Sequence, residues 1–584
     1  MPDRLPISHP KNPIQINFYN RTYGLITLFL TALVLTLLLF SPPNKQEVVQ
    51  ALISSTQVQE YDAIVFGDEV PGIMTALKLR RQLPNGKIAL ITEGDISQGL
   101  GGHLVRGGLA YLDRNQVPRD IRQDSGLRRF ASSSKLYDEF IQITGTQEIA
   151  LDRFRADKAF RRALEQAQVK VIGNIQVQSV QTQGVKVQSF TTADQGIFTA
   201  KYFIDCTQGG KLAEMAGVRV YQGFEALGLP DSSLAIGLIF EIYGINLEQL
   251  RDIEDKMIDR FLDQNDIEAQ RWLGIASGGS PGLRQQIISS FNSGNGIASI
   301  YQGTPDSADV RSSALGAAFH GMNGLVYDLR KAGAKLDRAN VAILRDHLSL
   351  NSMLFYADGK TSRQLSFNGA KPTPEMLVFA RKVQDFYRNL GAWDVKLMSE
   401  LYIRSAGHIA RSMDDLTATE MAGGGISNAD ALGTFTYHLD VRGGITGIGE
   451  MAARLGIDKL NIHLNMHTFN YGFRHTLPKE RENLAVLSPA SGFGGLGISA
   501  GRIVEFNISV GEGLAIAVAK AVQEKRSLHS ITNKEVRQTF NYTPLVYGRR
   551  SPNYKSIKNI EILFKQEQER QSQESNQHRA KVKL

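Results

Sequence analysis

Short apolar runs alternate with amphipathic stretches through most of this chain, and the clearest alternation lies between Tyr61 and Glu93. Ala63 to Phe66 is an unbroken apolar run that stops at Gly67. Gly72 then opens Ile73-Met74-Thr75-Ala76-Leu77-Lys78-Leu79, whose apolar positions recur at helical spacing. After Pro84-Asn85-Gly86 a second run, Lys87 to Thr92, ends on an acid, Glu93. The pattern predicts strand, tight turn, helix and second strand, a βαβ unit of about thirty residues.

The same reading extends downstream. Arg153 to Ala167 has helical spacing, and Val169 to Gly210 alternates as several short strands with polar turns. The last of these ends at Asp205-Cys206-Thr207-Gln208-Gly209-Gly210 and leads into a helix from Lys211 to Ala216, a second strand-to-glycine-turn-to-helix junction. From Val218 to about Ser399 the character changes to apolar strand-like runs such as SSLAIGLIFEIYGI and long polar helices such as LEQLRDIEDKMIDRFLDQNDIEAQRWL. Lys565 to Leu584 is glutamine-rich and charged and is expected to be disordered.

At 584 residues, with 42% hydrophobic and 21% charged residues, the chain is a globular protein of two or three domains. A net charge of +8 without a basic stripe interleaved with aromatics argues against nucleic acid as a partner. Cys206 is the only cysteine, which excludes an intrachain disulfide and a redox dithiol. Tyr23 to Phe40 carries no charge and has the length of a membrane-spanning helix. Arg4, Lys11 and Arg21 precede it and Lys45 follows, so the expected arrangement is a single-pass anchor with the body on the non-cytoplasmic side.

The glycines of the first unit suit a nucleotide. Gly67 allows a sharp turn off the strand, and Gly72 allows a pyrophosphate to approach the first helical turn, whose free N–H groups and positive dipole end attract phosphate. Glu93 can accept hydrogen bonds from a ribose diol. The middle position of the turn, glycine in G-x-G-x-x-G, is Glu69. In GDISQGLGGHLVRGGLAYLD, glycines 99, 101, 102, 107 and 108 imply a backbone running close against something flat or bulky. No metal site is expected. His463 and His467 lie in NIHLNMHTFNY, whose alternation reads as a strand that would hold the two rings roughly 13 Å apart; a helix there would bring them together.

Taken together, VFGDEVPG, Glu93, LGGHLVRGGLAYLD and FIDCTQGGKLAEMAGV resemble the FAD-dependent oxidoreductase family, within the two-dinucleotide-binding-domain, glutathione-reductase-type flavoprotein superfamily. The resemblance returns after Leu401, in LYIRSAGHIARSMDDLT, TFTYHLDVRGG, YGFRHTLPKERENLAVLSPASG and FGGLGISAGRIVEFNISVGEGLAIAVAKAVQEK. It implies an α/β protein with a discontinuous Rossmann-like FAD-binding domain, residues 61–217 and 400–535, and an inserted α+β substrate domain, residues 218–399. Around these stand a polar segment, 1–22, the anchor, 23–40, a linker, 41–60, and a partly disordered extension, 536–584.

The implied cofactor is FAD, contacted by Gly67, Glu69, Gly72, Glu93, Gly101, Gly102, His103, Gly107, Gly108, Val177, Asp205, Gly209, Arg502, Gly511 and Gly513. Asn507 to Gly513 would form the start of a long helix aimed at the flavin. Arg404, Tyr437, Asp440, Arg442 and Arg474 are the candidates for substrate or flavin contact, with Arg404, Asp440, Arg442 and Arg474 taken as catalytic; salt bridging between domains is the alternative for each. A covalent flavin link through His103 competes with simple packing. Cys206 has no assigned role. The expected activity is two-electron transfer between an organic, possibly lipid-soluble, donor and the flavin, with oxygen, a quinone or a protein as acceptor. The rivals are a non-catalytic lipid- or protein-binding escort on the same fold, and a nicotinamide-only dehydrogenase, which would leave the C-terminal match without a purpose.

Overall fold

The computed structural model describes residues 58–194, 196–291, 299–338, 340–457 and 467–582. β1 (Val58–Phe66) becomes fully buried over Ala63–Phe66, and Gly67 then takes φ 101°, a value that only glycine adopts without strain. The chain turns directly into α1 (Val70–Gln82), which carries Pro71 in its first turn. β2 (Ile88–Ile91) lies parallel to β1, with Ala63 opposite Ile88, and β3 (Lys170–Ile172) lies parallel to β2. Between them α2 (Arg153–Gln166) packs against α1, its N-terminus capped by Asp152.

β4 (Val177–Gln183), β5 (Lys186–Thr192) and β6 (Ile197–Asp205) form the expected antiparallel meander. The first sheet reads β3-β2-β1-β6-β5-β4, and its seventh strand, Leu484–Val486, pairs in parallel with the C-terminal end of β6. The sheet is therefore completed by a segment from the far end of the chain, as a discontinuous domain requires.

The middle of the chain builds a second seven-stranded sheet. Its path strands are β7 (Ile236–Tyr243), β8 (Ile300–Thr304), β9 (Ser307–Val310), β10 (Asn340–Ile343), β11 (His347–Phe355) and β12 (Asp394–Leu397), in the order β12-β7-β11-β10-β9-β8, and Ala334–Leu336 joins β11 off this path. All its pairings are antiparallel, and β7 is buried along its whole length. Helices α3 (Leu247–Leu262), α4 (Ile267–Ala276) and α5 (Ala314–Met322) stack beside it, where the long polar stretch was expected to be helical. The buried carboxylate of Glu254, on α3, accepts from the Ala314 amide at 3.1 Å and so caps α5 from another element.

α6 (Val504–Glu524) lies against α1 and is buried over most of its length. It starts earlier than expected, at Val504, so Gly511 and Gly513 sit two turns inside it rather than at its mouth. At Gly511 a Cβ would stand 2.2 Å from Thr75 Oγ1, and at Gly513 2.4 Å from a Leu432 methyl carbon, so both glycines serve close helix packing in this structure. The expected disorder from Lys565 is also corrected. α7 (Tyr554–Val582) runs through that region, free of glycine and proline, with Ile557 and Phe564 buried and Arg570 paired to Glu567 at 2.8 Å and to Glu574.

The membrane localisation expected from residues 23–40 is corrected. Among the described residues no helix is long and apolar enough to cross a membrane, and residues 23–40 lie outside them. The apolar α6 satisfies its surface inside the protein, because α1 covers it. His463 also lies outside the described residues, while His467 begins a strand, His467–Tyr471, as its alternation predicts. No group of residues that could hold a metal ion is found among the described residues.

Burial raises the Glu254 carboxyl from 4.5 to about 7. A raised carboxyl pKa stabilises the fold most below the unfolded value, and that contribution is lost as pH rises towards 7. Replacing Glu254 with glutamine should therefore flatten the fall in urea midpoint between pH 4.5 and 7.5, a difference of order 3 kcal/mol. Urea titrations of both proteins across that range measure it.

Candidate functional site

Three glycine-bearing segments meet at the C-terminal edge of the first sheet. A Cβ on Gly67 would lie 2.8 Å from the Cys206 carbonyl carbon, and one on Gly72 2.9 Å from Cys206 Cβ, so both glycines press the first turn of α1 onto the end of β6. Cys206 is a buried packing atom set at that contact. Glu93 accepts from the Val177 amide at 2.9 Å and pairs with Lys211 Nζ at 2.6 Å. Glu93 and Val177 thus come together, and Lys211 joins them from the second glycine turn.

Asp205 is fully buried and accepts from Thr207 N at 2.9 Å, Thr207 Oγ1 at 2.7 Å and Ala213 N at 2.9 Å. Burial raises its pKa to about 6. Its carboxylate shapes the second turn from beneath. Gly209 faces the inserted region, where a Cβ would stand 2.5 Å from Ser366 Oγ.

The glycine loop is clamped by charge. Arg106 forms a two-pronged pair with Asp68, donates to the Gly99 carbonyl at 2.7 Å, and pairs with Glu400 at 2.7 Å. All three charged side chains are buried. Gly101 and Gly102 both adopt positive φ, which carries the loop around the Glu69 side chain, and Gly107 lies so close to the His103 backbone that a Cβ would approach its carbonyl oxygen to 2.6 Å. Gly108 in turn faces Met398, whose sulfur would lie 2.4 Å from a Cβ there. His103 is buried, its ring paired with Glu69 and stacked on Tyr402 at 5.1 Å.

Tyr402 belongs to a buried charged cluster where the second sheet meets the start of α6. Arg502, just before α6, donates to Tyr402 Oη and pairs with Asp440. Arg404 donates to the Ala235 carbonyl at 2.7 Å and Asn351 Oδ1 at 3.0 Å, and its guanidinium lies 4.5 Å from the Tyr402 ring centre. Tyr437 hydrogen-bonds to Asp113. Arg442 stands at the margin, 3.4 Å from Asp337. Of the residues expected to act together, Arg404, Tyr437, Asp440 and Arg442 converge, and Arg502, expected at the cofactor, joins them.

Arg474 does not join them. Its guanidinium binds Asp414 at 2.9 Å and the carbonyls of His529 and Ile531 at 2.9 Å, a structural tie between the returning segment and the loop after α6. Asp113 and Tyr402 are in the cluster without having been singled out from sequence. The one signal for Asp113 is an acid closing the apolar run Leu109 to Leu112. Its orientation comes from its neighbours: Arg114 and the Asn115 amide both bind Glu505, in the first turn of α6, at 2.9 Å.

The cluster separates its two acids. Burial raises the Asp113 carboxyl, the Asp440 carboxylate adds to this, and Arg502 only partly opposes it. Asp440, half-buried, is held below its ordinary value by Arg502, which outweighs the desolvation that would raise it. Burial, reinforced by Arg502 and Arg442, lowers the Arg404 guanidinium to about 10, which leaves it charged at neutral pH. One carboxyl shifted up and one shifted down, beside fixed cations, is an arrangement suited to proton transfer next to developing negative charge.

A Rossmann-type sheet, a glycine turn opening a helix and a buried charged cluster at the mouth of a second domain define a dinucleotide-binding redox protein. The chain belongs to the FAD dependent oxidoreductase family, whose model matches residues 62–540. It is an FAD-dependent enzyme. No curated protein matches it. Solved structures similar to it include the flavin-dependent brominase Bmp2 (10% identity, 82% of each chain, TM-score 0.34). Others are p-nitrophenol 4-monooxygenase PnpA from Pseudomonas putida DLL-E4 (11%, 88% of this chain and 94% of that one, 0.35) and the halogenase PltM L111Y mutant with FAD (13%, 80% and 71%, 0.32).

The residues present fit FAD. The Glu93–Val177 pair and the side-chain-free glycine loop offer what a dinucleotide needs. Among the described residues, His103 Nε2 and Gln208 Oε1, on the loop and the second turn, and Arg502 Nε are buried without a partner.

Arg474 offers a contrast within this set. Arg474→Ala should lower the thermal midpoint by about one to two degrees, the effect of about 1–2 kcal/mol in a chain of this size, yet leave FAD affinity within about twofold of wild type. Thermal unfolding and flavin fluorescence titration read the two effects separately.

Proposed function

We propose that this oxidoreductase carries out two-electron transfer between a small organic substrate and FAD, with the substrate held by the buried cluster of Arg404, Arg442, Arg502, Asp113, Asp440, Tyr402 and Tyr437. Bound FAD supplies the acceptor for the electron pair; the chain supplies everything that orients and neutralises the substrate. The observation that carries this reading is the set of hydrogen-bond partners around the arginines. Arg502 answers Asp440 and Arg442 answers Asp337, while the hydrogen bonds of Arg404 among the described residues go to neutral oxygens, a carbonyl and an amide.

A buried guanidinium with neutral partners fits a carboxylate or an oxygen that becomes negative as the substrate reacts. Asp440, the acid shifted down, is the group suited to accept a proton, and Asp113, shifted up beside Tyr437, faces it. The second sheet holds Arg404 in place, through the Ala235 carbonyl beside β7 and Asn351 on β11. Oxygen, a quinone or a protein acceptor would take the electrons onward.

A simple carboxylate probes the cluster without knowledge of the substrate. Benzoate added to the flavin-loaded protein should give a saturable change in the flavin absorbance spectrum, and Arg404→Met should weaken it by about a hundredfold, the usual scale for a lost charge-assisted contact. The reading is wrong if benzoate leaves the spectrum unchanged, or if Arg404→Met binds it as well as wild type does.

A further inference from the structure

A cavity of about 800 Å³ lies behind the charged cluster. It opens where the segment from Gly126 to Lys135 faces Gly303 and Thr304 at the end of β8 and the stretch from Tyr542 to Leu545 beyond α6. Asp113 and Arg114 are consecutive, but their side chains diverge. Asp113 turns to Tyr437 in the cluster, whereas Arg114 turns to Glu505 and lines the cavity. None of the side chains assigned to the substrate is in its wall.

The wall carries more positive than negative charge: Arg114, Arg128, Arg129 and Lys135 against Asp138 and Glu148. Two of the cations are already matched, Arg114 by Glu505 at 2.9 Å and Lys135 by Asp138 at 3.4 Å. Arg128 and Arg129 are exposed, and among the described residues neither has a carboxylate within ion-pair distance. The Arg129 guanidinium lies instead 5.0 Å from the ring centre of its neighbour Phe130. Opposite these charges the wall is apolar, with Leu127, Ile141, Pro544 and Leu545, the last 46% exposed.

We propose that this cavity is a second ligand site, for an organic anion with an apolar body such as an aryl phosphate. Its volume is that of a site for a drug-sized molecule. Leu127, Ile141 and Leu545 cover the body, while Arg128 and Arg129 donate to the anionic head. Exposed guanidinium groups alone hold a bare anion weakly, so both parts of the ligand are needed. Arg114 and the Ser133 amide, in the same wall, hold Glu505 in the first turn of α6. A molecule bound here therefore rests against the helix start that positions Arg502.

Calorimetric titration of the flavin-loaded protein with 1-naphthyl phosphate tests this, with neutral 1-naphthol as the comparison. The proteins are wild type, the double variant Arg128→Ala with Arg129→Ala, Leu545→Glu, which sets a carboxylate in the apolar wall, and Arg404→Met. Flavin absorbance and the thermal midpoint show that each variant is folded. Wild type should bind one naphthyl phosphate, and both cavity variants should bind it about tenfold more weakly, as wild type should bind 1-naphthol. Arg404→Met should stay within about twofold of wild type, because the cluster is a different site. No uptake by wild type, undiminished binding by either cavity variant, or equal binding of 1-naphthol would overturn the proposal. Loss of binding in Arg404→Met would place the anion in the substrate cluster and overturn it as well.

Discussion

The arrangement depends on one buried guanidinium. Arg106 bridges Asp68, beside the first glycine turn, and Glu400, where the chain re-enters the first domain, while its own backbone lies in the glycine loop. The two acids are not equivalent. Asp68 also accepts from Thr92 Oγ1 at 2.8 Å and the Gly101 amide at 3.1 Å, and despite burial the Arg106 charge keeps it below the ordinary range. Glu400 has fewer donors, and burial pushes it up. Such a triad is costly to desolvate and adds little net stability compared with an apolar contact of the same volume, but losing one member leaves a charge without a partner. Its effect is positional: three segments distant in sequence share one register.

A second buried bridge does the same work at the other end of the site. Glu505, in the first turn of α6, accepts from Arg114, Asn115 and Ser133, and so fixes the segment that carries Asp113. Since Arg502 precedes α6 directly, the same helix start positions both Arg502 and the acid it faces. The inserted sheet contributes anchors for Arg404 without contributing an acid or base of its own from β7 or β11 to the cluster. The inserted region also supplies Asp337, the partner of Arg442 at the margin of the cluster.

Local pattern accounts for much of this. The βαβ unit, the meander, the polar helices of the middle region and the strand at His467 were all visible from spacing, because their periodicity reflects one buried face each. The exceptions share a cause. Gly511 and Gly513 were placed at a helix mouth by resemblance to the family's closing segment, whereas here they admit Thr75 and Leu432 from other elements. Arg474 was read as catalytic by resemblance, and its actual partners lie on segments whose approach no local pattern encodes. The glutamine-rich end was read as disordered from composition, although it lacks any helix breaker.

The amino-acid order alone therefore determined the strands, helices and glycine turns, and with them the dinucleotide-binding fold, since backbone sterics and the burial of one face act over a few neighbouring residues. Tertiary structure decided which charges meet. Asp113 with Tyr437, Arg502 with Asp440, and Arg106 between Asp68 and Glu400 are pairings across long stretches of chain. Whether a buried ionisable group keeps or loses its proton depends on what lies within a few ångströms of it in space, and a linear sequence does not carry that distance.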